Sequence, residues 1–276
     1  MAPIETPVPK PGALRRGAGS LLRVLAVLAV LYALVCVGAR WISPGILFPA
    51  PAPSYGATLR GLVMIPGADE RKFAAVYLPN PAARQLILLF HGNGHDLGPT
   101  MGRIEALNAR GFAVLAVDYP GYGLSGGKAS EEGLYSAADA AYRYATGTLG
   151  WAPGAVISHG ISLGGAAAMW VASRNTVGGL IMESSFMSAY RVITGYPIVL
   201  GDRMPSLQRM KQVHCPVLVI HGFQDGLIGW EHGRRLFEAA PEPKRCFWVT
   251  GAGHNNVIST SGDPYWRAIT DFAAGL

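Results

Sequence analysis

Beyond residue 57 the chain alternates short apolar runs with longer helix-forming stretches, and this rhythm constrains its fold more than any other feature. The run LILLFHG (86–92) is continuously apolar up to its His-Gly end, as expected of a strand buried on both faces of a parallel sheet. The other predicted strands are LRGLVMIPG (59–67), FAAVYLPN (73–80), FAVLAVDY (112–119), AVISHG (155–160), GLIMES (179–184), PVLVIHG (216–222) and RCFWVTG (245–251). The first two predict a leading hairpin.

The stretches between these runs predict helices. One passes through MGRIEALNARG and ends at Gly111, a residue suited to the position after a helix. Ser130 is a suitable N-cap for EEGLYSAADAAYRYA, and further helices are predicted in LGGAAAMWVASR, in WEHGRRLFEAA and from Pro264. The alternation predicts one α/β domain over 57–276, with a mostly parallel central sheet and helices on both faces. Ligands of such sheets bind at the carboxyl ends of the strands.

Residues 1–43 combine basic charge with a long apolar run. No charged residue interrupts 24–39, and basic residues before the run with Trp41 after it favour a membrane anchor whose N-terminus is cytoplasmic. The alternative is a cleaved signal peptide ending near Ala39, which would leave a secreted or periplasmic protein. The Pro-rich stretch 44–56 predicts a linker. In both cases we expect the globular part outside the cytoplasm.

Charge and cysteine content exclude several function classes. The formal net charge is +6, but +4 of it falls within residues 1–40, so the rest of the chain offers no basic surface for nucleic acid. Three cysteines do not make a disulfide framework; Cys215 and Cys246 either pair with each other or stay buried as free thiols. No His/Cys spacing indicates a metal site, and no cofactor is expected.

Two serines fit the Gly-x-Ser-x-Gly pattern of a nucleophile elbow, Ser125 in GLSGG and Ser162 in GISLG. The elbow needs a strand that passes through a strained turn directly into a helix. Ser162 meets this requirement, because AVISHG precedes it and LGGAAAMWVASR follows at once. Ser125 is followed by the polar loop GGKASEEG, so it is interpreted as a loop residue. Ser162 is therefore the candidate nucleophile.

A serine nucleophile needs a base and an acid that orients the base. His254, in VTGAGHNN after the last predicted strand, is the candidate base. Asp225, in VIHGFQDGLIG, follows a strand between Ser162 and His254 and is the candidate acid, with Glu183 at the end of GLIMES as the alternative. Structural roles are expected for His91, His221 and Asp118.

An oxyanion hole needs two N–H donors aimed at the developing charge. One is expected from the amide of Leu163, the residue after the nucleophile, and the other from the amide of Asn93 in the loop FHGNGHDLG.

FHGNG, DYPGYGLSGG, HGISLGG, HGFQDGLI and GAGHNN occur in an order that resembles the α/β-hydrolase superfamily over residues 57–276. With the apolar N-terminus and the HGN and ESSF pieces, the chain is similar to small membrane-anchored α/β-hydrolase-domain-containing proteins. The resemblance implies a serine-hydrolase triad of Ser162, Asp225 and His254, with acyl-enzyme chemistry on esters, thioesters or, less often, amides. His159, before the elbow glycine, departs from the apolar or aromatic residue expected there.

The expected function is a membrane-associated serine hydrolase that cleaves carboxylic esters or thioesters of a small-molecule, acylated or lipid substrate. A serine peptidase of the prolyl-oligopeptidase or aminopeptidase type is the alternative enzyme, and a non-catalytic binding protein is the alternative outside enzymes. The segment 186–213 is long enough only for a short cap, so an open site is expected. Its apolar residues are expected to line an acyl pocket or to pack on the sheet.

Overall fold

The computed structural model of the chain describes residues 11–68 and 71–276, with side chains from residue 21 onward. Lys10 and the side chains of Arg15 and Arg16, three of the five basic residues of 1–40, lie outside this description, as does Glu5. The chain divides into two compact units. One contains the N-terminal helix as far as Ser43 together with Val199–Gly201, and the other comprises Pro44–Ile198 and Asp202–Leu276.

The N-terminal helix α1, Pro11–Leu47, is apolar and exposed over most of its described side chains. Its stretch Leu21–Leu47, 27 residues, is long and apolar enough to cross a membrane. At about 1.5 Å per residue it exceeds the roughly 30 Å hydrocarbon core of a bilayer. The helix is compatible with the predicted anchor, although a signal sequence has the same properties.

The second unit is built on one eight-stranded sheet in the order β1-β2-β4-β3-β5-β6-β7-β8. The strands are β1 (Leu62–Pro66), β2 (Lys72–Leu78), β3 (Leu86–Phe90), β4 (Ala113–Val117), β5 (Val156–Ile161), β6 (Gly179–Glu183), β7 (Val217–Gly222) and β8 (Lys244–Val249). Strand β2 is antiparallel to both neighbours, and all other pairs are parallel. Each strand overlaps one predicted from the sequence, so the predicted α/β-hydrolase fold with its leading hairpin is confirmed.

Helices follow the strands along the chain. They are α2 (Leu97–Asn108), α3 (Glu131–Arg143), α4 (Gly164–Arg174), α5 (Arg191–Thr194), α6 (Ser206–Arg209), α7 (Glu231–Ala239), α8 (Val257–Ser261) and α9 (Asp263–Ala273). Ser130 caps α3 as predicted, since its side chain accepts from the Gly133 amide. Helix α2 begins earlier than expected because Asp96 caps it, and Pro99 is tolerated in the first turn, where the N–H has no helical partner.

Both faces of the sheet are covered, which explains the continuous apolar character of its central strands. In β3, Leu86, Leu88 and Phe90 belong to one buried cluster, whereas Ile87 and Leu89 belong to another on the opposite face. Alternate side chains of a strand point to opposite faces, so each face needs its own apolar partners. The strands from β3 to β8 run parallel, so their carboxyl ends lie at one edge of the sheet. Residues of the site follow β5, β6 and β7 at that edge.

The stretch 44–56, predicted as a linker, is held on the domain. Phe48 is buried in the core, and the Asn93 side-chain amide donates to the carbonyl of Leu47 over 3.1 Å. Further along, the Ser54 amide donates to Asp96 over 2.7 Å. Residues 44–47 form the end of α1, and Phe48 gives the chain after it apolar surface to bury. We call residues 47–55 the strap.

Of the two alternatives left open for Cys215 and Cys246, the structure has the free thiols. Cys215 precedes β7, whereas Cys246 pairs with Val219 further along that strand, so the two are out of register. Cys215 is buried as expected, but Cys246 is exposed, because β8 is the edge strand of the sheet.

Candidate active site

Ser162 lies between β5 and α4, in the strand-turn-helix arrangement expected of a nucleophile elbow. Its backbone φ is +52°, in the left-handed region that a side chain disfavours. The Ser162 amide donates to the carbonyl of Glu183 in β6 over 2.8 Å, which holds the strained turn against the sheet. Such strain persists only where the surroundings enforce it, and it is common at reactive residues.

Two glycines make the tight elbow sterically possible. A Cβ on Gly160 would collide with the backbone of Gly164, and a Cβ on Gly164 would collide with the carbonyl of Phe90. The turn from β5 into α4 therefore brings three backbone segments closer together than side chains allow. The glycines of SHGISLGG are thus explained by packing.

The structure brings the candidate base and acid to Ser162. His254 Nε2 lies 3.0 Å from the Ser162 hydroxyl oxygen, and His254 Nδ1 lies 2.8 Å from Asp225 Oδ2. When the Nδ1–H donates to the carboxylate, Nε2 is left to accept the serine proton. His254 and Asp225 come from the loops after β8 and β7. These contacts form a continuous Ser–His–Asp hydrogen-bonded chain.

The Asp225 carboxylate is fixed on both of its oxygens. Oδ1 accepts from the amides of Leu227 and Ile228 over 3.0 and 2.8 Å, and Oδ2 also lies 3.3 Å from Nε2 of His221. Burial alone would raise the pKa of Asp225, but hydrogen bonds from His221, His254 and the Ile228 amide outweigh it and hold that pKa well below its ordinary value. The group next to His254 is therefore a carboxylate at neutral pH.

The loop after β3 lies against the elbow. A Cβ added to Gly92 would stand 3.6 Å from the Cβ of Ser162. Asn93 follows Gly92 directly, and its side chain is occupied with the carbonyl of Leu47. Leu163 follows Ser162 and precedes the first turn of α4. The two expected donors of an oxyanion hole thus lie on the segments that flank Ser162.

A cleft of about 570 Å³ opens beside Ser162 and His254. Polar groups make up much of its wall, among them Arg103, Glu183 and Asn255, while Ile161 and Leu227 are apolar. The cap segment 186–213 contributes no lining residue. Of the cap's apolar residues, Phe186, Met187, Tyr190 and Met204 are buried, whereas Ile193, Tyr196, Ile198 and Leu200 are exposed. Only the four buried side chains of these eight therefore pack on the domain.

The carboxylate of Glu183, the alternative acid, is bound by Arg103 and Tyr265. Its carboxylate accepts two hydrogen bonds from Arg103, over 2.6 and 3.1 Å, and one from the Tyr265 hydroxyl over 2.7 Å. His159 Nε2 lies 3.2 Å from the same carboxylate. Burial opposes ionisation, but the charge of Arg103 and the hydrogen bond from His159 outweigh it and hold the pKa of Glu183 well below its ordinary value.

This buried cluster also accounts for His159, the departure noted in the sequence. The imidazole is fully buried, and burial lowers its pKa, so it is neutral at pH 7. Arg103 and Tyr265 were not foreseen, because a lone arginine in α2 and a tyrosine in α9 give no sequence signal of a shared partner.

Ser125 and Asp118 hold the loop after β4 in place through hydrogen bonds. The Ser125 hydroxyl is buried, donates to the carbonyl of Asp118 over 2.8 Å and accepts from the Ala74 amide over 2.9 Å. The Asp118 carboxylate lies 3.0 Å from His91 Nε2 and accepts from the Tyr55 hydroxyl of the strap. These contacts join the loop to the sheet and to the strap. Within the described residues no group of three or more potential ligands is placed to hold a metal ion.

Comparison with known proteins gives consistent similarities. The family model of serine aminopeptidase, S33, matches residues 81–200. The mouse alpha/beta hydrolase domain-containing protein 17C is 36% identical over 182 residues, which cover 64% of this chain and 56% of the mouse protein. The aho-3 protein of Caenorhabditis elegans is 35% identical over 184 residues, covering 65% and 55%. The chain thus spans little more than half the length of these curated relatives.

Solved structures share the fold. An esterase of Pyrococcus furiosus matches with a TM-score of 0.69 and 16% identity, over 81% of this chain and 96% of the esterase. A monoacylglycerol lipase of Paleococcus ferrophilus matches with a TM-score of 0.60 and 23% identity, over 74% and 98%.

Proposed function

The chain is a protein of the α/β-hydrolase family, and from this premise we propose that it is a membrane-associated serine hydrolase of carboxylic esters or thioesters. The observation that carries the proposal is the unbroken chain from the Ser162 hydroxyl through His254 to Asp225, with contacts of 3.0 and 2.8 Å. Ser162 stands on a strained elbow and lines the cleft, where a substrate carbonyl can reach it.

In the proposed mechanism His254 takes the Ser162 proton as the serine oxygen attacks the carbonyl carbon of the substrate. The amides of Leu163 and Asn93 stabilise the resulting oxyanion. His254 then protonates the leaving alcohol or thiol, and an acyl-enzyme on Ser162 remains. Water, deprotonated by His254, releases the acid and regenerates the serine. Asp225 orients the imidazole and stabilises its protonated form.

The names of similar proteins support ester chemistry, since an esterase and a monoacylglycerol lipase share the fold. A serine peptidase remains the second candidate, because the matching family model describes serine aminopeptidases. An aminopeptidase needs an acidic group that holds the substrate amine. Glu183 is the acidic residue that lines the cleft, and its charge is already paired with Arg103. It is therefore not free to hold a substrate amine, which favours the esterase over the aminopeptidase.

A fluorophosphonate probe tests the nucleophile. Labelling of Ser162→Ala is expected to disappear, whereas Ser125→Ala is expected to keep it. Because the Ser125 hydroxyl makes two buried hydrogen bonds, that control should be less stable but still reactive. Labelling that survives in Ser162→Ala would refute the assignment, and an unlabelled wild type would favour a binding protein. Turnover of p-nitrophenyl esters against aminoacyl anilides then separates esterase from peptidase.

We propose further that α1 anchors the protein with its N-terminus in the cytoplasm and the hydrolase domain outside. The apolar stretch Leu21–Leu47 supports the anchor. A C-terminal reporter that is active only outside the cytoplasm should be active, and membrane fractions should contain the full-length chain. Reporter activity confined to the cytoplasm would overturn the orientation, and a soluble, shortened chain would indicate signal cleavage.

A further inference from the structure

The loop between β3 and α2, residues 91–96, carries Asn93, whose amide is the proposed second donor to the oxyanion. In the part of the chain that the structure describes, no hydrogen bond between backbone groups outside helices and strands involves residues 92–95. Gly92 and Gly94, on either side of Asn93, leave this backbone conformationally free. The position of the Asn93 amide therefore depends on contacts that other segments make with the loop.

The strap binds this loop in its middle and at its end. The Asn93 side-chain amide donates to the carbonyl of Leu47 over 3.1 Å. Asp96, the last residue of the loop, accepts from the Ser54 amide through Oδ2 over 2.7 Å and from the Ser54 hydroxyl through Oδ1. The same Oδ1 accepts from the Gly98 amide over 3.1 Å and so caps α2. One carboxylate therefore joins the strap to the N-terminus of α2.

The strap reaches the start of the loop through Asp118. The Tyr55 hydroxyl donates to Asp118 Oδ2, and Asp118 Oδ1 lies 3.0 Å from Nε2 of His91, the first residue of the loop. His91 Nδ1 in turn lies 2.7 Å from the carbonyl oxygen of Gly92. Burial and the charge of Asp118 raise the pKa of Tyr55, so its hydroxyl stays protonated and acts as the donor. Tyr55 is thus connected through two side chains to the residue before Asn93.

These polar contacts are separate from the burial that docks the strap. Phe48 lies in the core and supplies the apolar surface that the strap buries. Apolar burial has no preferred direction, whereas a hydrogen bond fixes the positions of the atoms that it joins. No strap residue lines the cleft, so the strap has no direct contact with a substrate there. The polar contacts therefore determine where the loop lies.

We propose that the strap positions the oxyanion hole, with Ser54 and Tyr55 as positioning residues for the Asn93 amide. The inference rests on the proposed function, because this amide matters only if attack by Ser162 creates an oxyanion. A donor must lie about 2.7–3.1 Å from the place where the charge develops, and displacement by about 1 Å costs roughly 100-fold in rate. Residues that precede β1 thus influence a reaction that they do not touch.

Spin labelling tests the positioning step without reference to activity. In full-length, detergent-solubilised protein carrying Cys36→Ala and Cys246→Ser, a nitroxide is attached to His95→Cys, an exposed position of the loop. Adding Tyr55→Phe should increase the mobility of this nitroxide, which narrows the lines of its spectrum, because the start of the loop loses its connection to the strap. A spectrum that does not change would overturn the proposal.

Tyr135→Phe is the matched control. It also removes a hydrogen bond between a tyrosine and a carboxylate, here from Tyr135 to Glu131 over 2.9 Å within α3, and neither residue lines the cleft. The nitroxide spectrum should stay the same in this variant. A narrowing equal to that of Tyr55→Phe would show that any lost tyrosine hydrogen bond loosens the loop, and it would refute the specific role of the strap.

Kinetics test the catalytic consequence, with each rate divided by the fraction of sites that a fluorophosphonate labels at completion. Tyr55→Phe should lower kcat for a p-nitrophenyl ester about fivefold, and Ser54→Ala/Tyr55→Phe should lower it about 20-fold, with KM within about twofold of the wild type. Tyr135→Phe should keep both constants within about twofold. An unchanged kcat in the double variant would overturn the catalytic role, whatever the spectra show.

An aryl trifluoromethyl ketone separates the oxyanion hole from general damage to the site. The Ser162 oxygen adds to the ketone carbon, the serine proton passes to His254, and the ketone oxygen becomes the anion. The inhibition constant should therefore rise in Tyr55→Phe by the factor by which kcat/KM falls. An unchanged constant would refute the positioning of the oxyanion hole. A wild type that neither hydrolyses esters nor takes the fluorophosphonate would refute the proposed function, and the nitroxide spectra would still decide whether Tyr55 holds the loop.

Discussion

His254 and Asp225 are joined by a contact of 2.8 Å between Nδ1 and Oδ2, although 29 residues separate them in the chain. The contact fixes which edge of the imidazole faces Ser162. Burial would raise the pKa of Asp225, but the surrounding hydrogen-bond donors outweigh it and lower that pKa. A negative charge therefore remains on the side of the imidazole ring that faces away from Ser162. A protonated His254 formed during catalysis would therefore be stabilised where it forms.

Asp225→Asn tests this relationship. An asparagine oxygen or amide at this position no longer imposes the Nδ1–H tautomer, and kcat should fall by roughly 1,000- to 10,000-fold, as when the triad acid of a serine protease is replaced. Steady-state hydrolysis of a p-nitrophenyl ester measures the loss. Glu183→Gln is the comparison and should lower kcat less than about tenfold, because its carboxylate faces Arg103. The reverse ranking would transfer the role of acid to Glu183.

The order of strands and helices could be predicted because the hydrophobic pattern of the sequence matches the burial of its residues in the structure. Within the hydrolase domain, short continuous apolar runs such as LILLF occur where both sheet faces are covered, and each run predicted as a strand overlaps one. Ser162 could be separated from Ser125 because an elbow requires a strand and a helix in direct succession, which is a local property of the sequence.

The remaining features depend on contacts between distant segments. Arg103, Glu183 and Tyr265 come from α2, β6 and α9, and none of the three carries a local signal of the others. The stretch 44–56 was predicted as a linker from its proline-rich composition, which describes backbone stiffness, whereas its docking depends on the core that buries Phe48.

The cluster around Glu183 predicts a large effect on stability. Glu183→Gln removes the buried anion from Arg103, whose guanidinium is 18% exposed at the cleft wall, and the free energy of unfolding should fall by about 3 kcal/mol, the lower end of the cost of breaking a buried ion pair. Tyr265→Phe removes one hydrogen bond to the carboxylate and should cost about 1.5–3 kcal/mol. Chemical denaturation of detergent-solubilised protein measures both. A smaller loss for Glu183→Gln than for Tyr265→Phe would contradict the ion pair as the main contribution.

Acid should destabilise the protein in two steps. His159 has a pKa lowered from 6.5 by burial, so below pH 6.5 the unfolded chain takes up a proton that the folded state excludes. Glu183 has a pKa lowered from 4.5, so its stabilisation is complete above pH 4.5 and is lost as the pH falls further. Melting temperatures between pH 7.5 and 4 should decline less steeply below pH 6.5 in His159→Gln, and less steeply below pH 4.5 in Glu183→Gln. Profiles parallel to that of the wild type would show that other groups control acid unfolding.

Asn93 allows backbone and side-chain contributions to the oxyanion hole to be separated. Asn93→Ala removes the hydrogen bond to Leu47 but keeps the N–H next to Gly92, so kcat should fall by less than about tenfold if the backbone is the donor. Asn93→Pro removes the N–H itself and should lower kcat by roughly 100- to 1,000-fold. Single-turnover acylation by a p-nitrophenyl ester measures the step in which the oxyanion forms, and thermal unfolding checks that each variant is folded. If the alanine variant loses as much activity as a folded proline variant, the strap's contact at Leu47, rather than the amide alone, sets the geometry of this loop.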